Sequence, residues 1–215
     1  MSLSTPPRLI TLEGGEGAGK STVLAALRGA LEAAGIEAVY TREPGGTPLA
    51  EQIRGLMLDT RHEPAVAETE LLLAFAARAQ HVRATILPAL QRGAWVVSDR
   101  FTDASYAYQG AGRGLDLDFI ADLERRVVGI RPALTLLLDV PVEVGLQRMR
   151  GRGAADRIEG ERNDFFERVR QGYRDRAAAE PQRFEVIDAS QPADAVAAQA
   201  VARLRALLAA TEAAR

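Results

Sequence analysis

No cysteine occurs in the 215 residues, which excludes disulfides and thiolate zinc sites. Charge of one sign is not in excess either. The net charge at pH 7 is −2, so nothing in the bulk electrostatics argues for nucleic acid or a membrane surface as partner. No apolar run approaches the roughly 18 residues of a membrane-spanning helix, and Met1 to Arg8 lack the apolar stretch of a secretion signal. Internal repeats are missing too. A soluble, cytoplasmic protein is the expectation. With no basic excess, a polyphosphate ligand has to be met by arginine and lysine placed locally.

What is present is an ordinary globular composition, 47% hydrophobic and 26% charged, enough to build a core. The length fits one domain spanning 1–215. Short apolar runs alternate with longer helix-like stretches. Strands are predicted at Arg8–Glu13, Glu37–Thr41, Ala94–Ser98, Leu134–Asp139 and Phe184–Asp188. Their apolar character is nearly unbroken, as expected for strands covered on both faces. Helices are predicted over 20–34, 48–58, 66–92, 116–128, 142–150, 164–180 and 192–211. In 66–92, Leu72, Phe75, Ala79, Val82 and Ile86 form the expected inward stripe. The pattern implies an α/β fold, a five-stranded parallel sheet wrapped by helices, with ligands beyond the carboxyl ends of the strands. Residues 151–163 are charged, glycine-bearing and aperiodic, and are predicted to form a short surface lid.

Gly14-Gly15-Glu16-Gly17-Ala18-Gly19-Lys20-Ser21 matches the phosphate-binding pattern G-x-x-x-x-G-K-[ST] in full. Glycines let the backbone turn its N–H groups toward phosphate oxygens. Lys20 should reach the β- and γ-phosphates, the Ser21 hydroxyl suits Mg²⁺, and the following helix presents its positive end. The motif follows a strand and precedes a helix, which supports ATP or GTP binding over a bare glycine turn. Asp99 and Asp139, each at a strand end, are both placed to hold magnesium through a water. Asp99 is assigned with Ser21.

The P-loop alone leaves GTPases, motors and small-molecule kinases open, although N-K-x-D and D-x-x-G signals are absent. Further motifs decide between them. Thr41-Arg-Glu-Pro-Gly-Gly46, Asp99-Arg100-Phe101, Ala107-Tyr-Gln-Gly110 with Gly112-Arg-Gly114, and Asp156-Arg-Ile-Glu159 together resemble the bacterial thymidylate kinases of the P-loop nucleoside-monophosphate kinase family. The resemblance runs from the P-loop to the C-terminal helix. It implies phosphorylation of dTMP by ATP with magnesium, in a homodimer to which helix 66–92 contributes a face. A kinase for another monophosphate or a deoxynucleoside is the near alternative, and a nucleotide-binding regulator without catalysis the distant one.

The resemblance also implies residue roles. Arg54 and Arg100 would clamp the acceptor phosphate, each gripping two oxygens. The P-loop carries no arginine at Gly15 to Ala18, so the lid and its flank would supply one, from Arg150, Arg152 or Arg157, with Arg152 and Arg157 favoured. Ser105 and Gln109 would bond the thymine edge, Arg78 would bind its O4, and Tyr108 would crowd the ribose 2′ position. Glu43 would fix this wall or an adjacent arginine. Glu16 sits awkwardly beside phosphates, and its carboxylate is expected to approach either the acceptor-side metal or the sugar. One departure stands out. The family's thymine-stacking aromatic, four residues before the arginine, is Ala74 here. On a helix Ala74 lies about 40° from Arg78, and Phe75 about 60° to the other side. Phe75 either leans in to stack or stays in the core.

Overall fold

A computed structural model describes residues 8–61, 63–149, 157–158 and 161–213. Five strands, β1 (Leu9–Glu13), β2 (Ala38–Arg42), β3 (Trp95–Asp99), β4 (Leu134–Asp139) and β5 (Phe184–Asp188), form one sheet in the order β2-β3-β1-β4-β5. Every pairing is parallel. Among the described residues the helices are α1 (Lys20–Ala33), α2 (Pro48–Leu58), α3 (Ala67–His81), α4 (Leu87–Gln91), α5 (Thr102–Ser105), α6 (Leu117–Leu123), α7 (Val142–Met149), α8 (Asn163–Ala179) and α9 (Ala193–Ala213).

β1, β3 and β4 occupy the middle of the sheet and are buried along almost their whole length. One apolar layer packs α1 and α9 on one face through Leu27, Leu31, Val196 and Leu204. A second brings Leu71, Phe75, Val82 and Ile86 under the other face. The expectation that all five strands are covered on both faces fails at the edges. β2 is half-buried from Ala38 to Thr41 and exposed at Arg42, and Val186 of β5 is half exposed, because an edge strand has a neighbour on one side only.

The inward stripe of α3 is also corrected. Leu72 is 50% exposed, while Leu71 is fully buried. The buried arc takes in Glu70, Leu71, Ala74, Phe75, Ala77, Arg78 and His81. At 100° per residue this arc centres near Arg78, and Leu72 falls outside it. The helix faces the core and a polar cavity at once, which an apolar stripe cannot reveal.

Three wide-turn segments extend these helices: Val82–Ile86, Tyr106–Gly112 and Glu124–Val128 have π-helical hydrogen bonding. In the second, Arg113 N donates to Tyr108 O, five residues back, at 2.9 Å. Such insertions cluster at functional sites. Gly112 permits this one by leaving room for Phe165 and Val169 of α8.

The P-loop rests on α7. Gly17 has φ 69°, and a Cβ there would strike the backbone of Gly145; a Cβ on Gly145 would strike the Glu16 carbonyl. Backbone meets backbone, so neither side has a flexible group to yield. Gly145→Ala should therefore cost about 1–3 kcal/mol by overpacking and loosen the loop. Chemical denaturation and ATP affinity should fall together, whereas Gly29→Ala, in open space on α1, should spare both.

Candidate active site

Strand β1 ends at Glu13, and the chain loops through Gly14–Gly19 into α1. Gly19 caps that helix in the left-handed region, φ 89°, and no side chain caps its first turn. Its positive end is left to an anion. Lys20 is the sole lysine of the sequence. Its Nζ donates to the carbonyls of Gly14 (3.1 Å) and Gly15 (3.0 Å). Burial, with Arg100 beside it, pulls its pKa down, while Glu16, Asp99 and Glu13 oppose that pull.

Two of the concavities that border this loop are large. One, of about 440 Å³, lies between Gly17–Gly19 with Thr22 and the chain after β5, Ala189–Ala193, with Arg148 of α7 at its edge. Arg148 Nη1 donates to Ala189 O at 2.8 Å. The sequence reading missed this wall; its only signal was position, just beyond a strand's carboxyl end.

The other, of about 220 Å³, gathers most of the remaining predicted residues. Glu16, Lys20, Arg54, Asp99 and Arg100 line it together with Ala74, Arg78, Ser105, Tyr108 and Gln109, and Pro44, Met57 and Ile158 add to the wall. Arg100 is the only described non-glycine residue with positive φ, 69°, a strain of about 1–3 kcal/mol. That conformation turns its guanidinium to the P-loop. Nη1 donates to Gly14 O and to Tyr173 OH, both at 3.1 Å, and Nη2 to Glu16 Oε1 at 2.5 Å. Tyr108 OH donates to the same Glu16 oxygen at 2.8 Å. Burial alone would raise the Glu16 pKa, but Arg100, Lys20 and the Tyr108 hydroxyl hold it down at about 2. Glu16 is thus turned to Arg100 and Tyr108.

Asp99 and Asp139 part company. Both oxygens of Asp139 are held by Arg170, at 2.7 and 3.0 Å. Asp99 Oδ1 is buried with no hydrogen-bond partner. An unsatisfied carboxylate oxygen beside the P-loop suits a hydrated cation. Among the described residues no cluster of three or more His, Cys, Asp or Glu could hold a metal. The donor set fits magnesium, which needs only one or two protein oxygens when water and phosphates supply the rest.

Arg78 is 2% exposed. Its Nε donates to Glu43 Oε2 (2.5 Å), Nη1 to Ser105 Oγ (3.0 Å) and Nη2 to Phe101 O (3.0 Å). Glu43 is fixed in turn by His81, whose Nδ1 lies 2.8 Å from Oε1 and whose Nε2 lies 2.6 Å from Thr41 Oγ1. Phe75 takes the core alternative: it is 2% exposed, belongs to the apolar layer, and does not line the cavity. Its ring lies under the Arg78 guanidinium, 4.7 Å away, so it supports the arginine. Ala74 occupies the cavity wall.

Behind Gln109 sits Glu70, fully buried and unremarked by the sequence reading. It binds Gln109, Arg113 and Arg157. Arg157 also donates from Nε to Met57 O at 2.8 Å. Two of its donor nitrogens are thus committed to this wall and not to the P-loop. Arg150 and Arg152, with most of the predicted lid, lie outside the described residues.

A parallel α/β sheet with a phosphate loop after β1, and two hollows bordering that loop, mark a P-loop kinase of small nucleotides. The chain matches the family model "Thymidylate kinase" over residues 12–200. It is 59% identical over 203 residues to a thymidylate kinase of Chromohalobacter salexigens, covering 93% of this chain and 96% of that one. It is 59% identical over 188 residues to one of Pseudomonas putida, covering 87% and 91%. A crystal structure of thymidylate kinase from Ehrlichia chaffeensis superposes with TM-score 0.75 at 31% identity, covering 94% and 99%. The chain belongs to the thymidylate kinase family. It is an enzyme that phosphorylates dTMP with ATP as donor.

Glu13, beneath the loop, yields a pH test. Burial, then the nearby Asp103, raise its pKa to about 8. A carboxyl raised in the folded state favours folding fully below the unfolded value near 4.5, and that contribution is lost as pH climbs through 8. Urea midpoints should fall between pH 5 and pH 8 in the wild type. They should fall less in Glu13→Gln, which has no proton to lose.

Proposed function

We propose that the two hollows hold ATP and dTMP end to end, with transfer occurring over Lys20 and Arg100. The observation that carries this reading is the single cavity that Lys20, Arg54 and Arg100 line together with Arg78, Ser105 and Gln109. Two phosphate groups a few ångströms apart repel strongly in a partly dry site, so fixed cations must lie between them. The residues of 14–21 cradle the donor phosphates. Arg100 and Arg54 take the acceptor phosphate, with Arg100 exchanging its bond to Glu16 for phosphate oxygens. Glu16, held ionised, is then turned to the sugar.

A general base is unnecessary, because a phosphate monoester with a second pKa of about 6 is already mostly ionised at neutral pH. Alignment and charge stabilisation suffice for in-line transfer. Ser21 and Asp99 would hold magnesium, which when bound neutralises phosphate charge. Arg152 is the lid arginine assigned to the transferring group. Arg157, held by Glu70, anchors the lid's end and would reach that group only by leaving this wall. Tyr108, bonded to Glu16, crowds the ribose 2′ position, and Arg78 with Gln109 meets the base edge.

The cytoplasm is the compartment where both substrates meet. Among the described residues no helix is long and apolar enough to cross a membrane. Exposed Leu49 and Leu56 of α2 and Leu72 of α3 support a homodimer built on these helices.

With ATP and Mg²⁺, dTMP should be the best acceptor in a panel with dUMP, dCMP, dGMP and dAMP. Preference for a purine would overturn the reading. Arg100→Ala should lower kcat with dTMP by about 10²–10³-fold and leave the ATP dissociation constant within threefold by calorimetry. Near-normal turnover would remove Arg100 from the transfer site.

A further inference from the structure

Glu70 lies in the first turn of α3, fully buried behind the base end of the acceptor cavity. Its Oε1 accepts from Gln109 Nε2 at 2.8 Å. Its Oε2 accepts from Arg113 Nη2 at 3.1 Å and from Arg157 Nη2. An ionised carboxylate offers acceptors only, so the end of the Gln109 amide that meets it has to be the NH₂. The amide orientation is therefore fixed by chemistry, where an isolated amide would leave it ambiguous. Burial disfavours this charge, but Arg157, Gln109 and Arg113 more than offset that and hold the carboxyl below its ordinary range.

We propose that Glu70 is a positioning residue that sets base specificity, by pinning the Gln109 amide with its oxygen left for the cavity. This rests on the reading of Arg78 and Gln109 as the wall that meets the base edge. Arg78 spends three donors on Glu43, Ser105 and Phe101, and a guanidinium has five. The wall then offers a donor from Arg78 beside an acceptor from Gln109. Its complement is a ring carbonyl next to a ring N–H, the edge carried by thymine and uracil. Cytosine reverses both groups. Released from Glu70, the amide could turn and present NH₂, which cytosine N3 accepts. Specificity would then rest on Arg78 alone.

The test compares dTMP with 5-methyl-dCMP, which keeps the methyl group and reverses the edge. Wild type should strongly prefer dTMP in kcat/KM. In Glu70→Gln, folded by circular dichroism, that preference should shrink by about tenfold or more, mainly through KM, because a neutral amide no longer dictates which way Gln109 turns. A structural role alone would lower both substrates in parallel. Should wild type accept both equally, the base-edge reading itself fails. Should folded Glu70→Gln keep the wild-type ratio within twofold, the pinning is wrong and the base-edge reading stands.

A measurement on wild type covers the case of a variant that does not fold. With ¹⁵N-glutamine labelling, the Gln109 NH₂ should exchange with solvent far more slowly than those of exposed Gln52 and Gln91 before any nucleotide is added. Protection that arises only on adding dTMP would overturn the proposal.

Discussion

Bringing two phosphate chains into line requires cations that stay put when the anions arrive, and most of this structure serves that requirement. The register of the central strands sets it up. Leu12 of β1 stands beside Asp99 of β3, so the residues after each strand, Gly14 and Arg100, emerge next to one another. Arg100 N donates to Leu12 O at 2.8 Å, and Ser98 Oγ donates to Arg100 O at 2.7 Å. These bonds hold the strained conformation that aims the guanidinium at the P-loop. A mobile arginine would lose side-chain entropy on each encounter with an anion; this one is ordered beforehand by Gly14, Tyr173 and Glu16.

Preorganisation continues behind the surface. Tyr173 OH accepts from Arg100 and donates to Glu13 Oε2 at 2.8 Å, and Phe101 N donates to Glu13 Oε1 at 2.7 Å. The same logic fixes Arg78 through Glu43 and His81. Asp103, fully buried, is held by Arg183 through two bonds of 2.7 Å and by Arg176 at 3.0 Å. Buried charges are costly unless fully partnered, and a half-satisfied network is worse than an apolar core. The buried polar layer beneath the site is therefore closely tied to α8, which supplies Tyr173 and Arg176, far along the chain from the P-loop.

Much of this was legible in the sequence. Glycine spacing gave the phosphate loop, unbroken apolar runs gave the five strands to within a residue or two, and family motifs brought Arg54, Arg78, Arg100, Ser105, Tyr108 and Gln109 to one cavity. What was not legible has physical reasons. Leu72 and Leu71 are one residue apart, and only a second, polar neighbour on α3 decides which turns inward. The wide turn at Tyr106–Gly112 depends on α8 packing against Gly112. Glu70 looks like any acidic residue in a helix's first turn until Gln109, Arg113 and Arg157, far along the chain, fold onto it. The choice between Asp99 and Asp139 turned on Arg170, whose pairing no local pattern announces. Phe75 went to the core because the apolar layer of Leu71, Val82, Ile86 and Val96 lies on its side of the helix.

The most direct measurement is a crystal structure with a bisubstrate analogue, adenosine and thymidine joined by a polyphosphate chain. The account predicts the chain running from the amides of 14–21 to Arg100 and Arg54, Glu16 released from Arg100, and the thymine edge on Arg78 and Gln109. A polyphosphate that bypasses Arg100, or a thymine lying outside the cavity formed by Arg78, Ser105 and Gln109, would contradict it.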